Sequence, residues 1–485
     1  MQYRDAVAYL DSLVNYERLH DPEAMRGVRL ERMQRLCRRA GDPQRRFRSV
    51  VIAGTNGKGS VCAMLYSMLR ESSLRVGLYT SPHLEHLRER IRTWTGGSSG
   101  PPLATAARAG LRPGLAGGAD ESPKRQAGDD WISEDDFAAI VTQLHGALED
   151  ARRTSPEQAP TYFEAVTLVA LTYFASRQVD VAVLEVGLGG RLDATNVVDQ
   201  AVSVLTPIDV DHADVLGPEA AAIAREKAGI IKPGQVVITA AQHPEVMDVL
   251  RQTCEQHGVP LFTAGRDLSA IVHRADLDGL QLSLTGFRGI YEALELPLVG
   301  RHQAHNAALA VGALEALSTA GVPHSLVERG LARAEWPGRI EVMHEAPLIL
   351  MDGAHNPHAA AALAETLKEC CQDRVIHLLM GMSSDKSIEE IGAILGGLAV
   401  SATCTKSQHP RACEPVELAT RLAPFCLDVH VMSAPVDAYT YLLNVVAPRD
   451  AIVVTGSLFL VGELRSALRR AHIHPRREGR ALRCR

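Results

Sequence analysis

The stretch Arg46–Leu84, RFRSVVIAGTNGKGSVCAMLYSMLRESSLRVGLYTSPHL, decides the reading of the fold. An apolar run gives way to a turn rich in glycine, then to a segment of helical composition and a second apolar run. Strand, Gly-rich turn, helix and strand in that order make one βαβ unit of a parallel sheet. In the turn, Gly54-Thr55-Asn56-Gly57-Lys58-Gly59-Ser60, the glycines let backbone wrap closely around phosphate oxygens. The helix start adds amide donors and its dipole. Lys58 offers a positive charge to the β and γ phosphates, and Ser60 a hydroxyl near a metal. The loop is shorter than GxxxxGK(S/T), because Ile52 stands where a glycine would begin it.

Outward from this unit, Val7, Leu10 and Val14 stand at helical spacing and open the chain with an amphipathic helix. WISEDDFAAIVTQLHGAL reads as a helix with Ser133 as N-cap and Asp136 in its first turn. A longer helix runs from Tyr162 to Ser176, and VDVAVLEVGLGG has the continuous apolar character of a buried parallel strand. AVSVLTPI and QVVITA add strands, and residues 269–299 alternate with period two, as small antiparallel strands on the same domain. HNAALAVGALEALSTAG is a helix closed by Gly321. After Trp336-Pro337-Gly338 the rhythm restarts with APLILMDGAHNPHAAAALAETLKEC, VIHLLMGM, ATCTKS and AIVVTG. The expected architecture is α/β: a P-loop parallel-sheet domain with helices on both faces over 1–338, then a smaller Rossmann-like α/β domain over 339–485.

The chain has 485 residues, 46% hydrophobic and 22% charged, which excludes a wholly disordered protein. No apolar run reaches the roughly 18 residues of a membrane helix, and the N-terminus has charges where a signal peptide needs its apolar core. A cytoplasmic protein is expected. A net charge of −6 gives no support for a nucleic-acid or membrane footprint. The nine cysteines form no CxxC pair and read as reduced, core-filling thiols. Residues 95–130 hold eight glycines and four prolines, too little apolar surface to offset ordering entropy, so a flexible surface insertion is expected. The tail Arg469–Arg485 carries seven arginines and reads as a solvated end.

Four further clusters carry chemistry. Glu185 ends an apolar strand in LEVGLGGRLDATN (184–196), where open α/β sheets place ligands. Its carboxylate suits Mg²⁺, and by residue type it equally suits an ion pair with an arginine. The glycines after it let backbone approach a ligand. His212, in Asp209-Val210-Asp211-His212, fits a structural strand-end histidine on its own, and Lys227 fits a surface charge. GRHQAHN (300–306) and DGAHNP (352–357) follow, the latter at the end of the second domain's first strand, and Arg339 at the junction suits bidentate phosphate contact.

These clusters together resemble the folylpolyglutamate synthase/dihydrofolate synthase family of Mur-ligase-like amide ligases. GTNGKGS, SPHLEHLRERI, TYFEAVTLVAL, LEVGLGGRLDATN, DHADVLG, REKAGIIKPG, GRHQAHNA, WPGRIEV and DGAHNP stand in the family's order, between about Tyr3 and Glu463. Serine directly after GTNGKG resembles the folate branch.

The resemblance implies a ligase that uses ATP to turn a pteroate or folate carboxylate into an acyl phosphate, which the amine of L-glutamate attacks. By position it implies that Asn56, Gly57, Lys58, Gly59 and Ser60 cradle ATP, with Asn306, Arg339 and Asp352 as further nucleotide contacts. Ser81, Glu185 and His212 match magnesium ligands for two ions. Lys227 matches a carbamylated lysine, and that modification replaces a cation beside Mg²⁺ with an anion. His355 is placed beside the phosphates, and Lys58, Lys227 and His355 form the catalytic set. Thr161, Tyr162, Phe163, Glu164, Leu192, Asp193 and Ala194 match segments that touch the pterin substrate.

The site is expected in the cleft between the domains of a monomer, with small-molecule substrates as its partners. Neither the insertion, just after the SPHL segment, nor the Arg-rich tail removes a matched position, but both bear on substrate preference or association. Activity on dihydropteroate, on reduced folates or on both stays open, with TYFEAVTL leaning towards both. A murein-type ligase and a P-loop ATPase switch are the alternatives. The former is disfavoured by LEVGLGGRLDATN and DGAHNP, the latter by the matched second-domain motifs.

Overall fold

The computed structural model describes residues 1–19, 21, 25, 29–95, 103, 130–155, 158–210, 215, 217 and 219–470. Most of the Gly/Pro-rich insertion, the Arg-rich tail beyond 470 and His212 lie outside the described residues. The chain divides into two compact units. The first comprises Met1–Ile271, Leu282–Leu296 and Ala304–Glu335, and the second Val272–Gln281, Pro297–Gln303 and Trp336–Arg485.

In the first unit, helices α1 (Tyr3–Asp11) and α2 (Leu30–Arg39) precede β1 (Arg48–Ala53), α3 (Lys58–Arg70), β2 (Val76–Tyr79) and β3 (Ile91–Trp94). Then come α4 (Glu134–Thr154), α5 (Tyr162–Ser176), β4 (Val181–Glu185), β5 (Val202–Leu205), α6 (Ala220–Ala228), β6 (Val236–Thr239), α7 (Pro244–His257) and β7 (Leu261–Thr263). The seven strands lie in the order β3-β2-β4-β1-β5-β6-β7. β3 is antiparallel to β2 and the other neighbours are parallel. β1 is central, and the chain leaves it towards β2 and β4 on one side but reaches β5, β6 and β7 on the other. The carboxyl ends of β4, β1 and β5 therefore border the switch point where such sheets take ligands.

The local chemistry explains the elements. Thr161 caps α5, accepting from the Glu164 N–H, while the Glu164 carboxylate accepts from the Thr161 N–H. The helix behind this cap is apolar all round, and Ala165 to Phe174 are all buried, as expected of a helix inside a core. Ser133 caps α4 with its hydroxyl, which accepts from the Asp136 N–H and donates to the Asp136 carboxylate. Each fully buried Leu, Val or Phe of this core contributes about 1.5–3 kcal/mol relative to exposure.

The period-two stretch forms β8 (Ser269–Asp276), β9 (Gly279–Thr285) and β10 (Ile290–Leu296) in a three-stranded sheet. The expectation placed all of it with the first domain, but residues 272–281 group with the second unit. Alternation reports that a strand has two faces, not which body covers them. Helices α8 (His302–Leu317) and α9 (His324–Ala332) follow.

The second unit contains β11 (Glu341–Glu345), β12 (Leu348–Met351), α10 (Pro357–Cys370), β13 (Ile376–Met380), α11 (Ile388–Leu395), β14 (Ser401–Cys404), α12 (Pro415–Leu422), β15 (Asp428–Val431), α13 (Pro435–Val445), β16 (Ala451–Thr455) and α14 (Leu458–Arg470). Its sheet runs β11-β12-β16-β13-β14-β15, parallel except for β11. The eight described cysteines are free thiols. Among the described residues no helix is long and apolar enough to cross a membrane.

Candidate active site

The turn between β1 and α3 is held by its neighbour β5. The Thr55 N–H donates to the Pro207 carbonyl at 2.8 Å, and the Thr206 N–H to that of Ala53 at 2.8 Å. Gly54 sits at φ +146°, and a Cβ there would collide with the Thr206 side chain. Gly57 sits at φ +85°, with a Cβ position 2.5 Å from Asn306 Oδ1 on α8. Both glycines are thus obligatory, and Asn306 is brought to the turn. The N-cap of α3 is Gly57, which has no side chain to bond the first-turn amides, and amides at a helix start suit an anion. Ser60 is buried and Asn56 half-buried in the same turn.

Two lysines converge here. Lys58 Nζ donates to the carbonyls of Gly54 (3.1 Å) and Thr55 (3.0 Å), and Lys227 Nζ, from the last turn of α6, donates to Gly54 at 2.8 Å. Lys227 is 5% exposed, which removes the surface-charge alternative. The loop after β4 explains its placement. Gly190 packs so tightly on the Glu226 and Lys227 carbonyls that a Cβ would approach them at 2.8 and 2.9 Å, and the Arg191 N–H donates to Glu226. At two of these glycines the close neighbour is protein: Gly190 admits the end of α6, and Gly187 faces the Phe163 ring.

Because β2 pairs with β4 in the register Tyr79↔Leu184, the residues just beyond their ends are adjacent. The Ser81 N–H donates to Glu185 Oε2 at 3.1 Å, and Glu185 is buried. A serine and a carboxylate just beyond the ends of paired strands supply hard oxygen donors of the type Mg²⁺ takes. Among the described residues no cluster of three or more His, Cys, Asp or Glu gathers to hold a metal. Ser81 and Glu185 are therefore the described part of the expected set.

The segments expected at the substrate divide into scaffold and surface. The Asp193 carboxylate accepts from the N–H groups of Gly187 (3.0 Å), Leu188 (3.1 Å) and Thr195 (2.9 Å), and from the Thr195 hydroxyl. Its burial raises its pKa, opposed by those donors. Asp193→Asn would turn an NH₂ against backbone donors and is expected to lower stability by about 1–3 kcal/mol, read as a fall in Tm. Glu164 is likewise committed, to Thr161 and to Arg32 Nε at 2.8 Å. Thr161, Tyr162 and Ala194 are buried, while Phe163 and Leu192 remain partly exposed and form the accessible part of this set.

One group absent from the expected set stands out. Arg90 is 1% exposed, its Nη1 and Nη2 donate to Glu17 at 2.8 and 2.6 Å, and its Nε donates to His83 Nδ1 at 2.9 Å. A guanidinium only donates, so His83 carries its proton on Nε2. Burial, reinforced by the Arg90 charge, pushes the His83 pKa down to about 3.

In the second unit, Asp352 follows β12 directly and accepts from the N–H groups of Ile340 (2.9 Å) and Ala354 (2.8 Å). Burial raises its pKa against the opposing Arg339 charge. The Arg339 guanidinium packs on Gly353, where a Cβ would collide with it. His355 Nδ1 donates to the Gly353 carbonyl at 2.8 Å. Arg339 therefore packs against the turn that carries Asp352 and His355.

Two domain families match the chain: the Mur ligase middle domain over residues 131–314, and the Mur ligase glutamate ligase domain over 338–458. A dihydrofolate synthase/folylpolyglutamate synthase of Bacillus subtilis is 33% identical over 451 residues, 91% of this chain and 95% of the relative. The chain belongs to the dihydrofolate synthase/folylpolyglutamate synthase family. A structure of Mycobacterium tuberculosis folylpolyglutamate synthase complexed with ADP matches with a TM-score of 0.82 at 32% identity, covering 96% of this chain and 98% of that one. E. coli FolC in complex with DHPP and ADP matches at a TM-score of 0.79 and 29% identity, covering 97% and 99%. As a member of this family the chain is a Mur-ligase-type enzyme that forms C–N bonds and binds ATP. The wrapped turn, uncapped helix start and paired lysines described above fit the phosphates of that nucleotide.

Proposed function

We propose that this enzyme activates the terminal carboxylate of dihydropteroate, of a reduced folate or of both as an acyl phosphate, and joins it to the amine of L-glutamate. The observation that carries the proposal is the convergence of Lys58 and Lys227 on the Gly54 carbonyl at the head of the phosphate turn. The names of the relatives, and the ADP and DHPP in two of the matched structures, support the substrates.

A carboxylate resists amines until one oxygen becomes a leaving group. Transfer of the γ-phosphoryl group to that oxygen releases ADP. The glutamate nitrogen then attacks the acyl carbon, loses a proton, and phosphate departs as the amide forms. The protein's contribution is positioning and neutralisation of phosphate charge. Asn56 to Ser60 orient the phosphates, and Lys58 moves from its carbonyls to the phosphate oxygens. Asn306, Arg339 and Asp352 are assigned to the nucleotide, and His355 to the neighbourhood of the phosphates. Ser81 and Glu185, with His212, would hold magnesium, as two ions, which when bound neutralise charge on the β and γ phosphates.

Lys227 is assigned as a carbamate. Its neutral amine would add to CO₂ and release a proton, turning a cation into an anion that would offset the charge of bound magnesium. The enzyme is taken to act as a monomer in the cytoplasm. Trapping with hydroxylamine tests the intermediate. ATP, Mg²⁺ and folate without glutamate should yield the folate hydroxamate and ADP, whereas ADP release without hydroxamate would contradict an acyl phosphate.

A further inference from the structure

Burying a guanidinium is tolerated only when its fork is filled. Each nitrogen of Arg90 has a partner: Glu17 takes both terminal nitrogens, His83 takes Nε, and the Tyr162 ring centroid lies 5.7 Å from the guanidinium carbon. These partners stand on three separate pieces of chain. Glu17 follows α1, His83 lies two residues beyond Ser81, and Tyr162 is the first residue of α5. Glu17 lies close to α5 through the backbone as well, since the Tyr162 N–H donates to Val14 at 2.9 Å.

We infer that Arg90 is a positioning residue for the Mg²⁺ ligand Ser81, acting through His83, an inference that rests on the proposed ligase reading and its metal assignment. Only Pro82 separates His83 from Ser81, and its ring fixes one of the intervening torsions, so the place of the imidazole is transmitted with little slack. The Ser81 N–H in turn holds Glu185 Oε2. The chain Glu17–Arg90–His83–Ser81–Glu185 thus sets both oxygen ligands from one buried cation. Lysine cannot substitute, because a single ammonium cannot serve Glu17 side-on and His83 together.

Loss of a partner that orients a metal ligand typically costs 10–100-fold in metal affinity. Mn²⁺ titrated into the full-length protein with ADP present, followed by the EPR signal of the free ion, reads that affinity without turnover. Arg90→Lys should weaken Mn²⁺ binding about tenfold, raise the Mg²⁺ concentration for half-maximal ligation in parallel, and leave the KM for L-glutamate unchanged. A purely structural Arg90 would lower Tm and the fraction of active protein while Mn²⁺ affinity stayed at the wild-type value, and that result overturns the inference.

Glu17→Gln, at a side chain 27% exposed, is the milder variant if Arg90→Lys does not fold. Weakened Mn²⁺ binding there supports the inference, and wild-type binding contradicts it. Wild-type protein that binds Mn²⁺ but forms no glutamate product would refute the ligase reading alone. Wild-type product with unaltered variant Mn²⁺ affinity would refute only the role of Arg90.

Discussion

Lys58→Ala is expected to abolish ATP-dependent product formation and to leave the fold intact. The side chain is half-buried, and its Nζ bonds the carbonyls of Gly54 and Thr55. Truncation removes no packing from the core beneath α3. What it removes is the cation assigned above to the charge on the transferring phosphoryl group. Preorganised donors of this kind are worth about 10²–10³ in rate, and here the loss is expected at the upper end or beyond. Thermal unfolding should give an unchanged Tm, and a product assay should give background. An active Lys58→Ala enzyme would undo the phosphate-cradle assignment.

Lys227→Ala should also lose activity, on the order of 10²-fold or more, but with a different signature. Lys227 is buried and tied to the same Gly54 carbonyl, and its removal leaves a cavity beside the turn. If the working form is the carbamate, a small carboxylate can occupy that cavity and supply the missing anion. Acetate or formate should therefore restore part of the activity of Lys227→Ala and none of that of Lys58→Ala. Wild-type turnover by Lys227→Ala would end the carbamate reading, and a loss no carboxylate relieves would argue for the ammonium itself.

Where a residue's role follows from local pattern, the sequence was legible. α5 begins and ends at Tyr162 and Ser176 as its apolar run predicts, because Thr161 and Glu164 cap it with their own side chains. The Gly54–Ser60 turn lies between strand and helix as its glycines require. Elements with weaker patterns escaped. β7 has three residues, and β15, Asp-Val-His-Val, has no fully buried position to mark a core face. α7, Pro244–His257, carried a usable signal in its N-terminal proline.

Within the site, composition announced close approach at Gly187 and Gly190 but not that the Phe163 ring and the end of α6 are what lies against them. The backbone donors that hold Asp193 and Glu164 are likewise invisible in a sequence. Arg90 was out of reach for a related reason. In SPHLEHLRERI an arginine reads as surface, and its burial depends on Glu17, 73 positions away.

The central claim is ligation of glutamate, so its most direct measurement is incorporation of labelled L-glutamate, with ATP and Mg²⁺, onto dihydropteroate and onto tetrahydrofolate in parallel. ATP-dependent product is expected from at least one acceptor, with one ADP formed per glutamate joined. Product from both would assign the bifunctional activity, and product from one the narrower enzyme. ATP hydrolysis with no labelled product from either acceptor would contradict the account.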